Sequence, residues 1–234
     1  MFETNTTSFT DIALEEDTRS YFAKVFQWMG IALAISGVVA WQVSQTPQIV
    51  EIIFGNRLYL YGIMIIEIGL VRYLSANIKN LSLHMASIMF VLYSAINGAI
   101  LSLIFLVYEL NSIISIFGAT TAIFLMMGIY GYTTKSDLTK MWSLLFMGFI
   151  GIIIWWVINL FLRNETFDFI ITSIWVIIFV WLTAYDVQKL KQFNTKWDAG
   201  TENEQKEAII GALNLYLDFI NLFLNLLNLF GKIK

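Results

Sequence analysis

The chain has no cysteine, one proline (Pro47), one histidine (His84) and only 13% charged residues over 234 positions. Without cysteine there is no disulfide framework, no thiolate nucleophile and no cysteine-ligated metal. The shortage of charge excludes an ordinary soluble domain, which carries about 25% Asp, Glu, Lys and Arg. Phosphate-binding loops, HExxH pairs and sustained heptads are also missing, and nothing suggests nucleic-acid binding. What fills the chain is apolar: 58% hydrophobic, 16% aromatic, with a mean hydropathy of +0.72. Apolar runs of roughly 18 residues or more read as membrane-spanning helices. The composition specifies an all-α, multi-pass membrane protein with the lipid bilayer as its first partner.

Seven spans are read at 25–45, 58–76, 83–108, 112–132, 141–162, 167–188 and 208–230. Residues 1–24 are polar and acidic (Glu3, Asp11, Glu15, Glu16, Asp17) and read as a free N-terminal tail without signal-peptide features. Residues 25–234 then form one seven-helix transmembrane domain. Connections are short except 46–57, which holds Pro47, and the polar loop 189–207. With the N-terminus inside, one side receives Arg19, Lys24, Arg72, Lys79, Lys135, Lys140, Lys189, Lys191, Lys196 and Lys206. The other side receives Arg57, Arg163, Lys232 and Lys234. This excess favours a cytoplasmic N-terminus. The two trailing lysines run against it and leave open a last helix that does not cross fully.

The last span carries a polar stripe: Asn214, Asp218, Asn221, Asn225 and Asn228, spaced 4, 3, 4 and 3. At 3.6 residues per turn these side chains share one face, and leucine and phenylalanine cover the rest. A carboxylate in mid-span costs about 2.5–3.5 kcal/mol on insertion scales, so Asp218 must face protein or water. The amides alone are explained as helix–helix glue; the acid is not. Two more acids lie in spans, Glu67 in IMIIEIGLV and Asp186 in WLTAYDVQKL. Arg72 is five residues from Glu67, so the two point in different directions and Glu67 needs a partner on another helix. His84 stands alone near a span end and reads as a bystander. Small residues (Gly30, Ala34 and Gly37; Ser87, Ser94, Gly98 and Ser102; Gly148 and Gly151) are spaced for close helix packing.

The runs YSAINGAILSLIFLVY (93–108), FGATTAIFLMMGIYGYTTKSDL (117–138), LTAYDVQKL (182–190) and LNLYLDFINLFLNLL (213–227) resemble the Bax inhibitor-1 family, also called the transmembrane Bax inhibitor motif or YccA-like family. The resemblance covers about residues 20–232 and suits a bacterial member in the cell inner membrane. It implies a seven-helix bundle with the last helix central, pH-dependent calcium leak, and modulation of cell death or membrane proteolysis. Asp186 and Asp218 match the family's paired aspartates, a proton-sensitive latch, and Glu67 matches its second-span acid. The basic partner some members carry falls on Arg72 or Lys79.

Physics alone makes such a pair informative. Two carboxylates in contact in a low-dielectric site cannot both ionise, so they share a proton and titrate as a unit. Losing that proton leaves repelling charges, or recruits a hard cation such as Ca2+, for which Asp186, Asp218, Asn214 and Asn221 offer only oxygen ligands. With Glu67 and Asn225 they form the expected pathway or gate. One objection is geometric. Counted from Lys189 and Lys206 as interface markers, Asp218 lies deeper than Asp186 by on the order of 10 Å at 1.5 Å per residue.

An intramembrane aspartyl protease would also carry Tyr-Asp and Asp on consecutive spans. Here Asp218 follows Leu215-Tyr216-Leu217 instead of Gly-x-Gly, and no proline follows Pro47, so no enzyme is expected. A proton-coupled exchanger would show duplicated, broken helices. An EF-hand starting at Asp198 fails, because Ile209 stands where a bidentate glutamate belongs. A non-conducting regulatory protein that binds a membrane protease or another membrane complex is the main competitor to a calcium leak.

Overall fold

The computed structural model describes residues 3–139, 147, 150, 151, 165–194 and 200–234. Among them run seven helices: α1 Glu3–Ser44, α2 Pro47–Phe54, α3 Arg57–Asn77, α4 Leu83–Val107, α5 Leu110–Thr133, α6 Glu165–Asn194 and α7 Glu202–Phe230. Six contain stretches long and apolar enough to cross a membrane: Glu16–Ser44, Arg57–Asn77, Leu83–Val107, Leu110–Thr133, Asp168–Gln192 and Glu202–Phe230. The span expected at 141–162 lies outside the described residues. Among the described residues the architecture is all-helical and multi-pass, and six of the expected spans fall on α1, α3, α4, α5, α6 and α7.

Polar sequence did not mark loops as reliably as apolar sequence marked spans. Residues 3–24, expected to be free, are the opening turns of α1. Tyr21 and Phe22 are buried with Val25 and Met29, an i, i+3/i+4 set that fixes this face inward. The 46–57 connection contains α2, started by Pro47 at its first turn, where a missing N–H costs nothing. The expected loop 189–207 shrinks from both sides, as α6 continues to Asn194 and α7 begins at Glu202.

The helices divide into two compact units. The first comprises Met1–Leu106 and Lys191–Tyr216. Its α1 and α4 meet at Gly98, where an added Cβ would lie 2.6 Å from the Ser36 carbonyl and 2.8 Å from Ser36 Cα. Glycine lets the two backbones touch there. Ser94 and Ser102 are buried on the same side of α4, as their spacing predicts. Gly30 and Gly37 meet nothing within 4 Å, and the packing face of α1 runs instead through Val25, Met29, Ala32, Ser36 and Ala40. Small residues do line that face, but they are Ala32, Ser36 and Ala40, not the glycines.

The opening turns of α7 are charged yet buried in this unit. Glu204 is 2% exposed and accepts from Lys24 Nζ at 3.1 Å on each oxygen and from the Gly200 N–H at 2.6 Å. Lys206 is 7% exposed and donates to the carbonyls of Leu81 (3.1 Å) and Lys79 (3.5 Å) in the turn before α4. Glu202 accepts from the Leu83 N–H.

The second unit comprises Val107–Leu190 and Leu217–Lys234. Phe117 and Phe124 of α5 pack edge-on against Phe219 of α7, at 5.2 and 5.5 Å between ring centres. Such edge-to-face pairs add to the burial of the rings themselves. Buried Gln188 of α6 accepts from the Leu138 N–H and donates to the Ser136 carbonyl, tying α6 to the segment after α5. Within α7, 67% of the most apolar window is buried, against at most 33% in any other candidate span. It is the most protein-covered of them.

Candidate functional site

The second unit brings the two expected aspartates together. Asp186 of α6 and Asp218 of α7 lie close enough for their carboxyls to interact directly. Asp218 is buried, and its Oδ2 has no hydrogen-bond partner among the described residues. Asp186 is less covered. Two carboxyls this close, one of them buried, are harder to ionise together than singly, which favours one proton held between them. The depth objection fails on the proximity of the two acids, and Lys206 is no interface marker, being buried on backbone carbonyls four residues past the Glu202 start of α7.

The basic side chain acting on Asp186 is Lys189, one turn further along α6, which also lies 5.8 Å over the Tyr185 ring. Sequence reading passed over it as an interface residue, although its i+3 spacing from Asp186 was visible. The two basic residues expected for that role sit elsewhere. Lys79, in the first unit, is within electrostatic reach of Glu207, and Arg72 is exposed.

Below Asp218 the stripe behaves unevenly. The Asn221 and Asn225 amides donate to the carbonyls of Leu217 and Asn221 on their own helix, at 2.8 and 2.7 Å. Their side-chain oxygens are left as acceptors. Asn228 donates to Thr172 Oγ1 of α6 at 3.3 Å and is the one that works as interhelical glue. Leu215, Leu222 and Leu226 are buried. Asn214, half-buried, belongs to the first unit.

A second polar centre lies in the first unit. Glu67 of α3 is half-buried and lies beside the Asn97 side chain of α4, with Oε1 buried and without a hydrogen-bond partner among the described residues. Asn97 Oδ1 accepts from the Tyr216 hydroxyl of α7 at 3.0 Å. Tyr216 lies 2.6 Å from Ser36 Oγ of α1, which also reaches the Ser94 carbonyl at 2.7 Å. Side chains of α1, α7 and α4 thus form a hydrogen-bonded chain that ends beside the acid of α3. Glu67 stands against polar side chains of another helix, with no hydrogen bond to them among the described residues. Tyr216 and Ser36 are unremarkable in a span when read singly, and Asn97 stands out in the sequence only through the Asn97–Gly98 pair, which packing also explains.

Among the described residues no three acidic or histidine side chains gather into a metal-holding group. The aspartate pair is a two-carboxylate centre, suited to a proton or to a loosely held cation but short of the six to eight oxygens of a tight calcium site.

The chain matches the family model described as "Inhibitor of apoptosis-promoting Bax1" over residues 18–234. It is 45% identical to the inner membrane protein YbhL of Escherichia coli K12 over 214 residues, covering 91% of this chain and 92% of that protein. A protein of Borreliella burgdorferi is 44% identical over 200 residues, 86% of each chain. A protein of Rickettsia prowazekii is 35% identical over 221 residues, 93% of this chain and 92% of its own.

Proposed function

Because the chain belongs to the Bax inhibitor-1 family, we propose that it is a pH-sensitive calcium-permeable leak in a bacterial inner membrane, gated by the Asp186–Asp218 pair. The observation that carries this reading is the contact between the two carboxyls in a buried setting. With the shared proton present the pair holds α6 and α7 together. Without it two adjacent negative charges repel, and repulsion in a low-dielectric site is relieved by moving the helices or by admitting a cation.

Calcium is the permeant ion in this reading and no cofactor is required. The free oxygens of Asp218, Asn221 and Asn225 give it several weak contacts along α7, as conduction needs. Glu67 supplies a further acid in the first unit. The high burial of α7 supports its place as the central helix of a seven-helix bundle. Its first turn meets the start of α4, and the residues after it pair with those after α4, which supports a full crossing. The charge distribution favours a cytoplasmic N-terminus.

Purified protein in liposomes, with a calcium dye inside, tests the proposal. Influx should change with pH in the native chain and lose that dependence in Asp218→Asn. Folded native protein that passes no calcium at any pH would instead favour the regulatory reading, with a membrane protease or another membrane complex as partner.

A further inference from the structure

α7 does not simply end at Phe230. Gly231 N–H still bonds the Leu227 carbonyl, after which residues 232–234 turn extended and lie antiparallel to the connection between α4 and α5. Glu109 N–H donates to the Lys232 carbonyl at 2.9 Å and Lys234 N–H to the Val107 carbonyl at 3.0 Å. These bonds flank Tyr108 and Ile233, making them a non-hydrogen-bonded antiparallel pair. Lys232 N–H adds a bond to Ser112 Oγ at 3.0 Å. The fit depends on Gly231, where an added Cβ would stand 2.7 Å from two atoms of the Tyr108 ring and 2.3 Å from the Leu227 carbonyl oxygen.

From this geometry we infer that residues 231–234 and Val107–Ser112 form a clasp that sets the axial register of α7, and that the clasp must open for α7 to leave the register in which Asp218 meets Asp186. The clasp and the aspartate pair belong to the same unit, joined by about three turns of rigid helix. Each clasp bond is directional and runs between backbones, so sliding α7 along its axis by even one residue, about 1.5 Å, breaks the pattern. The clasp is also easy to open. Phe230 and Ile233 are 66% and 69% exposed, and Lys232 and Lys234 are exposed as well, so little apolar surface holds it shut. Short, mostly exposed backbone pairing is what low local stability looks like.

The consequence for calcium passage rests on the function proposed above, whereas the consequence for register does not, and the experiment separates them. In this cysteine-free chain, Asp186→Cys/Asp218→Cys reports register through its rate of cross-linking by a short bifunctional thiol reagent. Adding Gly231→Val, which forbids the clasp, should slow that cross-link at least fivefold. An unchanged rate overturns the proposal. A second variant guards against misfolding. Tyr108→Cys/Ile233→Cys keeps the clasp when reduced, and the pair geometry suits a disulfide. Oxidation should lower calcium influx into liposomes at least tenfold, with recovery on reduction, and influx unaffected by a complete disulfide overturns the claim that the clasp must open. If the Gly231→Val arm succeeds but no variant, nor the native chain, passes calcium, the clasp stands and the leak reading falls.

Discussion

Cutting the Lys24–Glu204 pair should have unequal effects depending on which partner goes. Glu204 is 2% exposed, while the Lys24 side chain is 32% exposed and can swing to water. Lys24→Met strands a buried carboxylate with only the Gly200 N–H for company. Removing one partner of a buried pair costs about 3–5 kcal/mol. Glu204→Gln keeps an acceptor for Gly200 and leaves a lysine that can rehydrate, so its cost is nearer that of one charged hydrogen bond, about 1.5–3 kcal/mol. At about 2–4 °C per kcal/mol for chains of this size, melting in detergent should fall by roughly 10 °C in the first and by roughly 5 °C in the second. The double change Lys24→Met/Glu204→Leu should recover part of the loss, because no charge is left buried. Differential scanning fluorimetry of the three variants reads all of this. A Lys24→Met protein as stable as Glu204→Gln would refute the claim that burial of the carboxylate dominates.

Gly98→Val should cost about 3 kcal/mol or prevent folding, since the clash is with the Ser36 backbone and no flexible side chain can yield; yield and melting temperature in detergent check it. Tyr216→Phe removes the hydroxyl between Ser36 and Asn97 and should destabilise by about 1–3 kcal/mol, read by the same melt. Single cysteines at Asn214, Asn221, Asn225 and Asn228 should react with small aqueous thiol reagents faster than cysteines at Leu215, Leu222 and Leu226. Equal protection in a protein that conducts calcium would remove the stripe from the pathway.

Much of the fold was legible because the bilayer limits what apolar runs can become: with no water to satisfy the backbone, they must be helices. That Asp218 needs company was legible for a related reason, but its pairing with Asp186 came from the resemblance, and counting residues from the lysines spoke against it. Polar segments had no such constraint. The head of α7 reads as loop because Glu202, Glu204 and Lys206 are charged, yet each charge is met by a group distant in sequence: Lys24, the turn carbonyls at Lys79 and Leu81, and the Leu83 N–H. Pairings across 119 to 180 residues leave no local trace. The chain from Ser36 through Tyr216 to Asn97, beside Glu67, is hidden in the same way, because a tyrosine or an asparagine in a span fits simple packing until its neighbours are known. Lys189 was a different kind of miss, since its spacing from Asp186 was in plain view and position near a helix end was given more weight.

The central claim is that Asp186 and Asp218 act as one protonating unit that controls calcium passage. The most direct measurement is a double-mutant cycle on the pH dependence of calcium influx into liposomes, with Asp186→Asn, Asp218→Asn and the two combined. A coupled pair predicts that either single change removes most of the pH dependence and that the double change removes no more. Two partial losses that add up in the double variant, each shifting influx independently, would contradict it.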